Sequence, residues 1–90
     1  MPRSDLTVKD LLGAGVLETG QRLVGRRAGA VGKVCDDGSI AVEGVGVFRS
    51  PSLAAMAVLG RNQNGWTFWE AEIGGDRVPL SRLREGLRTA

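Results

Sequence analysis

Apolar positions follow three rhythms along this chain. Leu6, Val8, Leu11 and Leu12 recur at helical spacing, and Thr7 with Asp10 three residues later reads as a capped helix start. Leu6 before the cap and Leu11 inside form a hydrophobic staple, and Gly13 or Gly15 ends the helix. Val16 and Leu17 pack, and Glu18-Thr19-Gly20 turns the chain. From Gln21 to Arg49 the rhythm shortens to apolar pairs and triplets separated by glycines. Leu23-Val24, Val31 to Cys35, Ile40-Ala41-Val42 and Val47-Phe48-Arg49 read as short strands. Asp37-Gly38 predicts a tight type I′ hairpin between the second and third of these.

The third rhythm is helical again. Ser50-Pro51-Ser52 predicts a helix start, with Ser50 as cap and Pro51 at the first helical position, where no amide hydrogen is needed. Leu53, Ala54, Ala57 and Val58 keep helical spacing, and Gly60 is the expected stop. Asn64-Gly65 predicts a second tight turn. Trp66 to Ile73 alternates as a strand, with Trp66 and Phe68 on one face and Thr67, Trp69, Ala71 and Ile73 on the other. Gly74-Gly75-Asp76 is a turn, and Leu80, Leu83 and Leu87 mark a terminal basic helix over residues 77–90 with its arginines outward. The expected fold is α+β: a small curved antiparallel sheet, a meander of four to five strands, with three short helices. No repeat or interior linker interrupts residues 1–90, so one domain is expected.

Composition sharpens this picture at the aromatics. The chain has two Trp, two Phe, no Tyr and no His, and three of those four rings lie in Trp66-Thr67-Phe68-Trp69. A 90-residue chain needs such rings inside, so core packing and base stacking both remain open for Trp66 and Trp69. Twelve basic residues against ten acidic ones leave a net charge of +2, and the informative feature is asymmetry. Residues 22–33 hold Arg22, Arg26, Arg27 and Lys33 without an acid, and residues 77–90 hold four arginines against Glu85. Basic stripes on a near-neutral domain suit a polyanionic partner.

Several chemistries are excluded. Without histidine there is no Ser-His-Asp or Cys-His device, and Cys35 alone builds neither a disulfide nor a thiolate metal site. Gly32-Lys33 fails the phosphate-loop pattern, because Arg27 stands where the first Gly belongs and Val34 where Ser or Thr is needed. Gly13-Ala14-Gly15 has Glu18 in place of the third Gly of the dinucleotide fingerprint. Asp36-Asp37 is read as a turn former. No enzyme activity, cofactor or metal is expected. No apolar run spans a bilayer and Met1-Pro2-Arg3-Ser4-Asp5 lacks a signal core, so a cytoplasmic, nucleoid-associated location is expected.

The stretch from Ser50-Pro51-Ser52 to Asn64-Gly65-Trp66-Thr67-Phe68-Trp69 resembles the RAMA domain, the module associated with restriction systems and adenine methylases. Leu11-Leu12-Gly13-Ala14-Gly15-Val16-Leu17 with Gly20, and the Asp37-Gly38-Ser39-Ile40 hairpin, resemble the same family. The likeness runs from about Leu6 to Trp69. It implies a non-catalytic DNA-binding module of restriction–modification or DNA-modification systems, with a methyltransferase or nuclease as partner. Some members look like readers of N6-methyladenine. The chain is either free-standing or part of a larger protein.

Beside that implication stand the residues themselves. Arg26, Arg27, Lys33, Arg49 and Arg61 are the candidates for phosphate contact. Ser50 and Ser52 either cap their helix or, with its free amides, hold a phosphate. Asn64 is either a positive-φ turn residue or an amide that pairs with adenine N6 and N7. Trp66 or Trp69 would supply the stacking wall. The alternative reading is a protein-interaction module that docks a partner chain through its aromatic face.

Overall fold

Two serines, a threonine and an asparagine start three of the helices by the same device, a side-chain oxygen that accepts an otherwise unpaired amide. The computed structural model describes residues 6–89; the Met1–Asp5 stretch considered above and Ala90 lie outside the described residues. Helix α1 (Val8–Gly13) begins with a full capping box. The Thr7 N–H and hydroxyl donate to Asp10 Oδ2 at 2.7 and 3.0 Å, and the Asp10 N–H donates to Thr7 Oγ1 at 3.3 Å. Helix α2 (Pro51–Leu59) starts at Ser50, whose Oγ accepts the Leu53 N–H at 3.2 Å, and stops at Gly60 in the left-handed region. Helix α3 (Gly65–Phe68) is one turn, and α4 (Leu80–Thr89) closes the chain. No helix among the described residues is long and apolar enough to cross a membrane.

Six antiparallel strands form one sheet. They are β1 (Arg22–Gly25), β2 (Val31–Val34), β3 (Ile40–Val42), β4 (Gly46–Phe48), β5 (Trp69–Ile73) and β6 (Asp76–Pro79). The spatial order is β4-β3-β2-β1-β5-β6. The first four strands are the expected meander. The chain then crosses through α2 and α3 and returns as β5 on the other side of β1, pairing Leu23 with Ala71 and Gly25 with Trp69. Side chains alternate between faces. Leu23, Val34, Ile40, Val42, Trp69 and Ala71 point into a core completed by Val8, Leu11, Ala54, Ala55 and Leu80 of the helices. The opposite face is open, and the cross-strand row Arg22, Lys33, Ala41, Val47 runs across it.

The α+β class stands, with more elements than the sequence pattern indicated. Among the described residues, six strands replace four to five, and four helices replace three. Strand β6 has only Val78 and Pro79 as apolar residues, too few to show a period, and is an edge strand, where proline is tolerated. The larger difference lies at residues 66–73. The predicted strand from Trp66 does not form there; Gly65–Phe68 is helical, and the strand starts at Trp69. Three local bonds hold the turn: Trp66 N–H to Asn64 Oδ1 at 2.9 Å, Phe68 N–H to the Asn64 carbonyl at 3.1 Å, and Gly65 N–H to Ser52 Oγ at 3.0 Å. Asn64 is therefore a helix cap with φ −75°, not a positive-φ turn residue. At the β2–β3 hairpin, Gly38 is left-handed but Asp37 is not. The Gly38 N–H bonds the Cys35 carbonyl and the Cys35 N–H bonds the Ser39 carbonyl, a longer loop than the type I′ turn expected. At the β1–β2 tip Ala28 and Gly29 are both left-handed, and the Ala30 N–H closes the turn on the Arg27 carbonyl.

Candidate nucleic-acid interface

The start of α2 is locked to the Asn64–Trp69 run by contacts that only tertiary packing supplies. Gly65 lies flat against the peptide of Pro51, where a Cβ would overlap the Pro51 carbonyl group. Ser52 Oγ accepts the Gly65 amide, so this serine ties α3 to α2 while Ser50 caps α2. The Trp69 indole N–H donates to the Pro51 carbonyl at 3.1 Å. Trp69 is fully buried and meets the edge of Phe68, with centroids 4.9 Å apart at 89°. The rings of Phe68 and Trp69 thus anchor the helix layer to the sheet.

Trp66 is different. It is half-buried, and the Arg84 guanidinium lies 4.0 Å from its ring centroid. A cleft of about 500 Å³ opens beside it. Its walls come from five segments: Leu6 to Lys9 at the start of α1, Asp37 and Gly38 of the β2–β3 loop, Arg49 to Pro51 at the start of α2, Trp66 of α3, and Arg84 of α4. Three cations, Lys9, Arg49 and Arg84, face one carboxylate, Asp37. Hydrogen bonds from Ser39, its backbone N–H first, hold the Asp37 carboxyl below its ordinary value of 3.8, and the charge of Lys9 adds to this. Asp37 Oδ1 accepts the Ser39 N–H at 2.9 Å, so this acid is committed to shaping its loop.

The structure divides the sequence candidates into three groups. Arg49, Ser50 and Trp66 meet in the cleft. Ser52, Asn64 and Trp69 hold the turn beside it through the Ser52 hydroxyl oxygen, the Asn64 side-chain oxygen and the Trp69 indole N–H. The remaining cations lie elsewhere. Lys33 lines a second cleft of similar volume on the open sheet face, beside Arg22 and Glu43, with no aromatic ring. Arg26 and Arg27 are exposed at the β1–β2 tip, where the Arg26 backbone N–H bonds the Phe68 carbonyl at 3.0 Å. Arg61 is exposed just beyond the end of α2. Lys9 and Arg84 belong to the cleft and were not among the candidates; Arg84, expected to face outward with the other arginines of the terminal helix, instead turns in onto the Trp66 ring. For Arg84 a signal existed: positions 80, 83, 84 and 87 are one helical stripe, and a cation inside an apolar stripe asks for a partner. Lys9 carried no such signal, because its place depends on how α1 meets the β2–β3 loop.

Comparison with curated proteins finds no match. A family model does match, over residues 2–90, and it describes the Restriction Enzyme Adenine Methylase Associated domain. The match reaches beyond Trp69, where the sequence resemblance stopped, and includes α4 with Arg84. This family accompanies restriction adenine methylases and is not the catalytic methylase itself. With a match that spans nearly its whole length, and with the serine–proline start and the aromatic run joined in one packing unit, the chain belongs to the RAMA family.

Proposed function

We propose that this RAMA domain binds DNA through the Trp66 cleft, as a non-catalytic accessory to a DNA-modifying or DNA-cleaving partner. One observation carries the reading: the half-buried indole shares its cleft with Lys9, Arg49 and Arg84. Rings for bases and cations for phosphates are the two parts a nucleic-acid site needs. The family context, DNA and methylase association, points the same way. Recognition of N6-methyladenine is the finer form of this proposal. The added methyl removes one donor hydrogen and needs an apolar wall, which Trp66 and Pro51 supply in the cleft. Arg26, Arg27 and Arg61 would extend the contact along the backbone.

A gel-shift titration over a salt series tests this. Phosphate contacts by the three cleft cations alone give a slope of log affinity on log salt of roughly −2 to −3, steeper by about 0.7–0.9 for each of Arg26, Arg27 and Arg61 that also meets a phosphate. Binding indifferent to salt would overturn the proposal. A comparison of adenine-methylated with plain DNA tests the finer form, which fails if affinities are equal.

A second reading, docking of a partner protein, has its own support. Three of the exposed large apolar residues, Val45, Val47 and Leu53, lie on the touching elements α2 and β4 and the turn before β4. All three are aliphatic, but they do not share one face: Val45 lies beside Ala57 and Val58 of α2, whereas Val47 stands on the open sheet face. The aromatic face first considered for docking is mostly closed, since Phe68 and Trp69 are buried.

A further inference from the structure

We infer that the unit taken up by this cleft is an unstacked nucleotide, whose base occupies the place Arg84 now holds on the Trp66 ring. The inference rests on the DNA-binding reading and specifies its ligand. In a duplex each base has its faces covered by neighbours and offers only edges to a protein, in the grooves. Edges are read by amides and forked donors. The amide suited to that work, Asn64, has its oxygen engaged by the Trp66 N–H at 2.9 Å and does not line the cleft. What the cleft offers is a ring face, already covered by a planar cation 4.0 Å from its centroid. Such a face serves a base only when that base is single-stranded or turned out of its helix. The volume of about 500 Å³ is in the range of sites that enclose one small-molecule-sized unit.

Arg84 then has two positions. Without ligand it covers the indole, which keeps that apolar face from water. With ligand it yields the face to the base and turns to the adjoining phosphate, alongside Arg49 and Lys9. The exchange replaces one planar partner by another, so Trp66 is never left bare.

Three polymers of equal length at one low salt concentration test this: an adenine-rich single strand, its duplex, and a strand of abasic sugar-phosphate units. The single strand should bind about tenfold more tightly than either of the others, the scale of one base–aromatic stack. It should also quench tryptophan fluorescence where the abasic strand does not. In Trp66→Phe, which keeps a ring, binding should stay within severalfold while the quench disappears, because Trp69 is enclosed. A duplex that binds as tightly as the strand, an abasic strand that binds equally well, or a quench that persists in Trp66→Phe overturns the inference and leaves DNA binding standing. Failure of all three polymers to bind overturns the DNA reading and this inference together. The polymer comparison uses the unaltered protein, so it holds even if a Trp66 variant fails to fold.

Discussion

At the residue scale, the most consequential position is Gly65. Its φ is not in the left-handed region, so its requirement is space rather than conformation. Any Cβ would press into the Pro51 peptide, and backbone on both sides leaves nothing that can swing away. Gly65→Ala should destabilise the fold by about 3 kcal/mol, the upper end of overpacking costs, as a drop in urea midpoint. Gly86, inside α4 with open space around it, is the control, and Gly86→Ala should stabilise by roughly 0.5–1 kcal/mol. Asp37 gives a second prediction, with a definite sign. Its carboxyl is held below 3.8 in the folded protein, so it binds a proton more weakly folded than unfolded. Its contribution to stability is complete above that value and is lost as pH falls through the lower, folded value. Asp37→Asn, whose amide oxygen can still accept the Ser39 N–H, should flatten the fall in urea midpoint below about pH 4.

At the element scale, α2, α3 and the start of β5 act as one piece. Ser52 and Trp69 reach the same turn of α2 from different sides, one through the Gly65 amide and one through the Pro51 carbonyl. Ser52→Ala leaves a buried amide without its acceptor, and Trp69→Phe removes the indole donor to the Pro51 carbonyl together with part of a fully buried ring. Each should cost about 1–3 kcal/mol in equilibrium unfolding. Because both bonds hold the same interface, the double variant should lose measurably less than the sum, a coupling of at least about 0.5 kcal/mol. Strict additivity would show the two contacts to be independent. The same unit explains the Trp66–Ile73 segment. Its strand-like alternation was genuine from Trp69 onward. Upstream, the Asn64 cap and the Ser52 hydroxyl outcompete strand formation, and only one of those two is local in sequence.

At the scale of the whole molecule, the arrangement of cations decides what DNA binding would look like. If the Trp66 cleft is the contact surface, Arg49→Ala and Arg84→Ala should each reduce the magnitude of the salt slope by about 0.7–0.9. Lys33→Ala, on the open sheet face, should leave it unchanged. Equal effects at all three positions would mean diffuse attraction to the whole surface. Net charge distinguishes none of this, since each variant changes it by one unit. How much of this site could be read from the sequence depended on how local each determinant is. Arg49, Ser50 and Trp66 were recognisable because they sit inside the serine–proline start and the aromatic run. Lys33 was grouped with them by charge and Arg61 by its place at the far end of the same helix, and neither reports which face a residue occupies.

The sequence by itself determined the caps of α1 and α2, the glycine-punctuated meander and the family, because those signals act over a few residues: a hydroxyl three positions before an amide, a proline where no hydrogen is needed, an alternation of period two. Tertiary structure alone decided which indole is sealed and which is reachable. Trp66 and Trp69 are three residues apart in similar company. One lies on a sheet face packed under α2, with its N–H on the Pro51 carbonyl, and the other on a helical turn facing Arg84 of a distant helix. That difference arises from contacts between segments 15 or more residues apart, where a side chain's surroundings depend on the path of the chain rather than on its neighbours in sequence.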